Sequence, residues 1–116
     1  MRYRGIVLCA VLAACWGPAP GKGPKAARGY ASAPAVITAI ERYRSTRGEY
    51  PATLDALVPD FLSREALLQG PVQREYPWEY ERDSVGYTLT FRYTGPGMNF
   101  CRYSPATLRW KCGGYY

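Results

Sequence analysis

The stretch VGYTLTFRY at 85–93 constrains the fold more than any other part of the chain. Val85, Tyr87, Leu89, Phe91 and Tyr93 alternate with Gly86, Thr88, Thr90 and Arg92, which is the period of a strand buried on one face and wet on the other. The preceding YPWEYER at 76–82 alternates too, with Tyr76, Trp78 and Tyr80 set against Glu79 and Glu81. Asp83 and Ser84 supply a turn between the two runs, so they predict a hairpin whose aromatic face needs a cover. TGPG at 94–97 is a loop signal that leads into a third strand around Met98–Tyr103.

The cover is expected from SAPAVITAIERYRSTRG at 32–48. Ser32 or Ala33 suits the cap and Pro34 the first turn, while Val36, Ile37, Ile40 and Tyr43 fall on one stripe. Glu41, Arg42, Arg44 and Arg47 face away, and Gly48 supplies a left-handed stop. The spacing predicts an amphipathic helix of about four turns with one buried face. Beyond it, Pro51 and Pro59 bracket a short turn, with Thr53 as its cap, that points Leu54, Leu57 and Val58 inward.

GEYPATLDALVPDFL at 48–62, following that helix, resembles the soluble domain of the type II secretion major pseudopilin family in its order of Gly, Tyr-Pro, Thr-Leu, Leu-Val-Pro and aromatic-Leu. YPWEYE at 76–81 is similar to the family's Pro, Trp and Tyr segment at the start of its sheet, and the resemblance spans residues 34–93. It implies an α+β fold, with a helix packed on a small antiparallel sheet of three to four strands as a pseudopilin-like head. The departures are as telling. No prepilin peptidase site or long apolar filament helix is present, and no Asp or Glu lies between Phe91 and Tyr116 where the family carries a calcium loop. Neither filament assembly nor calcium binding carries over.

The front of the chain has another form. Arg2 and Arg4 precede an apolar run from Gly5 to Ala14, too short to span a bilayer as a helix and typical of a secretory signal. Leu12-Ala13-Ala14-Cys15 resembles the lipobox of bacterial lipoproteins, which implies removal of residues 1–14 and acylation of Cys15 with palmitate-type chains. Cys9 is a poorer candidate because Leu8 is too large for the small position before it. Trp16 stands where lipoproteins held at the inner membrane often carry aspartate, so the resemblance implies an outer-membrane anchor with the domain facing the periplasm. Residues 15–31, rich in Gly, Pro and Ala without an apolar period, are expected to form a flexible tether. Its sixteen residues after Cys15 would reach about 50 Å when stretched. The folded domain is then expected at 32–116.

Processing lowers the basic residues from 15 to 13 against 9 acidic ones, and the net charge from +6 to +4. The excess is spread along the chain without the cluster that marks a nucleic-acid footprint. The chain has no histidine and no nucleophile or phosphate-loop motif, so a catalytic reading has no support. Glu79 with Glu81, and Asp55 with Asp60, read as solvated carboxylates.

CRYSPATLRWKCGGYY at 101–116 remains to be assigned. If Ser104 pairs with Arg109 across Pro105 to Leu108, Cys101 lies opposite Cys112 and Tyr103 opposite Trp110, close enough for a disulfide. An exported domain with two cysteines is expected to bond them, with a gain of about 2–3 kcal/mol for so short a loop. A metal would need more ligands than the segment offers, and no cofactor is implied. Arg102, Tyr103, Arg109, Trp110, Lys111, Tyr115 and Tyr116 form a candidate binding surface of aromatic and basic side chains. Two functions are expected of such a chain. One is a structural or protein-interaction component of the envelope, accessory to a secretion or pilus-like system; the other is a tethered module that holds glycan or peptide on the last hairpin.

Overall fold

The computed structural model describes residues 19–69, 78–94 and 97–115. The architecture is α+β: one long helix, α1 (Pro24–Arg47), a 3-10 turn (Leu54–Leu57) and a short α2 (Arg64–Leu68) precede β1 (Glu79–Arg82), β2 (Tyr87–Thr94), β3 (Met98–Ser104) and β4 (Arg109–Tyr115). The four strands form one antiparallel sheet in the order β1-β2-β3-β4. Helix α1 lies across one face of it.

Period two carries directly into packing. Tyr87, Leu89, Phe91 and Tyr93 of β2, Cys101 and Tyr103 of β3, and Trp78 just before β1 are buried against Ala33, Val36, Ala39 and Ile40 of α1. Full burial of a side chain such as Ile40, Leu57 or Leu89 stabilises by roughly 1.5–3 kcal/mol. Phe91 is the hub, with its ring 5.6 Å from Tyr30, 5.7 Å from Trp78 and 5.2 Å from Trp110. Val85 departs from the expected strand pattern. It is 90% exposed because the strand starts only at Tyr87; residues 83–86 form a turn in which the Asp83 carboxylate accepts from the amides of Val85 and Gly86 at 2.9 and 2.7 Å. Tyr76 falls outside the described residues.

The largest departure is where the helix begins. Residues 24–31 were expected in a tether, with the helix starting near Pro34; instead α1 starts at Pro24 and runs through Pro34. An interior proline costs about 3 kcal/mol by removing a hydrogen bond and crowding the preceding turn. Packing of the added turns offsets it. Ala26, Gly29 and Ala33 are buried on the same face as Val36 and Ile40, at the spacing of one helical stripe. Small side chains supply this contact, so no apolar bulk marks it in the sequence. At Gly29 the approach is closest, since a Cβ there would sit 2.5 Å from the Phe91 ring.

The helix ends as expected, with Gly48 at φ 84° donating its amide to the Arg44 carbonyl. Thr53 gives no side-chain cap to the 3-10 turn; Ser63 instead caps α2, accepting from the Ala66 amide at 3.1 Å. The elbow that residues 48–62 form after α1 is tied to the sheet by the Tyr80 hydroxyl, which donates to the Pro51 carbonyl at 2.6 Å.

Gly29→Ala is expected to lower stability by about 1–3 kcal/mol, the usual cost of overpacking. Ala at exposed Ser45 should change little. Denaturant unfolding of both variants checks this, and a Gly29→Ala midpoint equal to wild type would contradict the close contact.

Candidate functional site

The last hairpin has the register expected from its sequence. Ser104 pairs with Arg109, Tyr103 with Trp110, and Cys101 with Cys112, and the two cysteines form a disulfide. This pairing puts the sulfurs on the helix side. The Tyr30 hydroxyl lies 3.2 Å from Cys112 Sγ and 3.5 Å from Cys101 Sγ, and it also reaches the Gly21 carbonyl at 3.2 Å. The Gly21 amide in turn donates to the Tyr93 hydroxyl at 2.8 Å. At φ 83° and with Cys112 Sγ 2.8 Å from where a Cβ would stand, Gly21 is a position for glycine alone. The segment before α1 is therefore pinned onto the disulfide.

The candidate binding residues divide between two faces. Tyr103 and Trp110 share the parity of the cysteines and pack inward; their rings are 5.4 Å apart, and Trp110 is 5.4 Å from Tyr30. Tyr103 is buried and Trp110 half-buried, so neither offers a free ring for stacking. Arg102 and Lys111, paired across β3 and β4, and Arg109 are exposed on the opposite face. Tyr115 closes β4 opposite Met98, and Tyr116 lies outside the described residues. The single aromatic and basic patch expected from the sequence is thus two separate sets.

The outer face has an aromatic of its own. Phe100 lies between the guanidinium of Arg92, 5.6 Å from its ring centre, and that of Arg102 at 5.5 Å. Both are within cation–π range. Gly113, opposite Phe100 in register, makes room for the ring, because a Cβ there would meet it at 2.9 Å. Arg92 is also held by Glu79, to which its Nε donates at 2.8 Å. Next to Arg102 an open trough of about 410 Å³ is lined by Glu79, Tyr80, Glu81, Thr88, Thr90 and Arg102. Sequence reasoning missed Phe100. Its opposite parity to Cys101, together with the glycine across from it, was the available signal.

A second hollow of about 300 Å³ lies between the elbow and β1, with Leu54, Asp55, Leu67, Trp78 and Tyr80 on its walls. Asp55 faces Arg64 across 3.8 Å as a surface pair, of little energetic consequence. The phenols here are held protonated. Burial pushes the Tyr80 hydroxyl from 10.0 up to about 12, and burial raises Tyr87 as well. Burial, then the charge of Glu41, raises Tyr50, with Arg44 opposing. At neutral pH the Tyr80 hydroxyl donates to the Pro51 carbonyl and the Tyr50 hydroxyl to the Glu41 carboxylate, while Tyr87 contributes packing.

Set beside known proteins, the chain stands without a match: no family model matches it, and neither a curated protein nor a solved structure does.

A phenol whose folded pKa exceeds its unfolded one leaves stability unaffected below the unfolded value and reduces it as pH rises through the folded one. Stability is therefore expected to fall as pH climbs from about 10 to 12, where Tyr80 and Tyr87 must ionise in the unfolded chain first. Tyr80→Phe should flatten that decline. Chemical denaturation across this range checks it, and identical slopes for the variant and wild type would contradict the assignment.

Proposed function

We propose that the chain is a non-catalytic lipoprotein of the cell envelope whose domain serves as a structural or protein-interaction component. Residues 1–14 act as the signal, Cys15 carries the lipid, and the domain sits in the periplasm at the outer membrane. The lipobox-like Leu12-Ala13-Ala14-Cys15 supports the anchor.

The observation that carries the interaction reading is the inward packing of Tyr103 and Trp110. A glycan platform on the last hairpin would need those rings in solvent. What the outer face offers instead is Phe100 between two guanidiniums, with Lys111 beside them and the edge strand β4 next to it. Arginine and aromatic groups held rigid in this way are the usual anchors of protein contacts. The basic residues of β4 also discourage indiscriminate edge pairing. The resemblance of residues 34–93 to the pseudopilin head supports a role as an accessory of a secretion or pilus-like machine. The second reading, a tethered glycan- or peptide-binding module, is favoured by the trough lined by Glu79, Tyr80, Glu81, Thr88, Thr90 and Arg102, which sets hydrogen-bonding groups around one aromatic ring.

The test is a photo-crosslinking residue placed at Lys111 on the outer face, or at Ser45 on the exposed side of α1, in cells that make the lipidated protein. Lys111 is expected to give discrete protein adducts that Ser45 does not, with secretion or pilus subunits among them. Glycan adducts alone would favour the second reading, and Cys15→Ser that still takes up labelled fatty acid would overturn the anchor.

A further inference from the structure

The acidic residues of this chain are confined to its middle, while the basic ones run throughout. No Asp or Glu precedes Glu41 or follows Asp83, so β2, β3, β4 and the first four turns of α1 contain none. At one end of the molecule lie the start of α1, the end of β2 at Thr94, the start of β3 at Met98 and the end of β4 at Tyr115. Lys25 ties this end together, its Nζ donating to the Thr94 carbonyl at 2.6 Å. Lys22 and Arg28 are exposed beside it, and Met98 is 44% exposed.

The placement of these cations opposes the field of the helix. The positive end of the α1 dipole is where acidic side chains stabilise a helix, yet its first turn has no acidic residue and holds Lys25. Nothing at this end of the described residues neutralises the accumulated charge. An external anionic surface would do so.

We infer that this end of the domain docks onto the anionic phospholipid headgroups of the leaflet that holds the anchor. The inference rests on the lipid-anchor reading above and adds to it an orientation. Its second support is the length of chain. With Gly21 fastened to Tyr93 and to Tyr30, only the peptide between Cys15 and Ala19 separates the lipid from the turn in which the Lys22 amide donates to the Ala19 carbonyl. Four residues span at most about 14 Å. Lys22, Lys25 and Arg28 are thereby kept close to the interface, where each basic residue near an anionic surface strengthens attachment about fivefold. A lipid chain combined with a basic patch is the two-signal arrangement that makes anchoring lasting. The outer face of the sheet, with Phe100 and Lys111, stands to the side of this contact and stays free.

After removal of residues 1–14 the lysines are Lys22, Lys25 and Lys111, which gives the test an internal control. Full-length mature protein, its acylation verified by intact mass, is inserted into vesicles of phosphatidylcholine alone or mixed with phosphatidylglycerol. It is then labelled with a membrane-impermeant amine reagent, and each site is followed by mass spectrometry. Lys22 is expected to react about fivefold more slowly on the anionic vesicles, as one such contact predicts, while Lys111 is unchanged, and high salt should erase the difference. Acylated protein that floats with both vesicles and shows Lys22 equally reactive on each would overturn the docking and leave the anchor standing. Protein that carries no acyl chain and floats with neither would overturn both.

Discussion

The contact between Gly29 and the ring of Phe91 fixes how near the helix can come to the sheet. Phe91 also touches the rings of Tyr30, Trp78, Tyr93 and Trp110, so the helix, β1, β2 and β4 are all positioned against one side chain. A small domain with few large aliphatics gains much of its core from such edge-to-face packing, because aromatic rings bury a large area with few rotatable bonds. Replacing the hydrogen of Gly29 with anything larger would force apart the layers that this ring joins.

The disulfide acts at the same depth. Cys101 and Cys112 cross-link β3 to β4 on the helix side, and Tyr30 rests its hydroxyl on both sulfurs while also holding Gly21. One covalent link thus serves two purposes: it shortens the unfolded chain's freedom, and it forms the floor on which the start of the helix is seated. Under the lipid-anchor proposal, a domain fastened from Gly21 onward would have little slack between itself and Cys15, and would be held at a set height rather than loosely tethered.

The sheet was legible because period two leaves a strong mark. The alternation in 85–93 and the spacing of Cys101 and Cys112 around one short loop led to β2, to the register of the last hairpin and to the disulfide. The first ten residues of the helix were not legible, since Ala26, Gly29 and Ala33 bury a face without apolar bulk and Pro34 reads as a start signal. What overrode the local preference was tertiary packing onto Phe91 and the disulfide, which no window of sequence contains. The candidate surface was half legible. The basic residues Arg102, Arg109 and Lys111 lie exposed as expected, whereas Tyr103 and Trp110 follow the parity of the cysteines into the core and Phe100 takes the outer position.

The helix is one unit from Pro24 to Arg47 whose first half is held by the sheet and the disulfide. Amide hydrogen exchange tests it directly. With the disulfide intact, amides in 27–33 should exchange as slowly as those in 35–46, and reduction should release the first set well before the second. Fast exchange of 27–33 in the oxidised protein, at the rate of an unstructured chain, would contradict this.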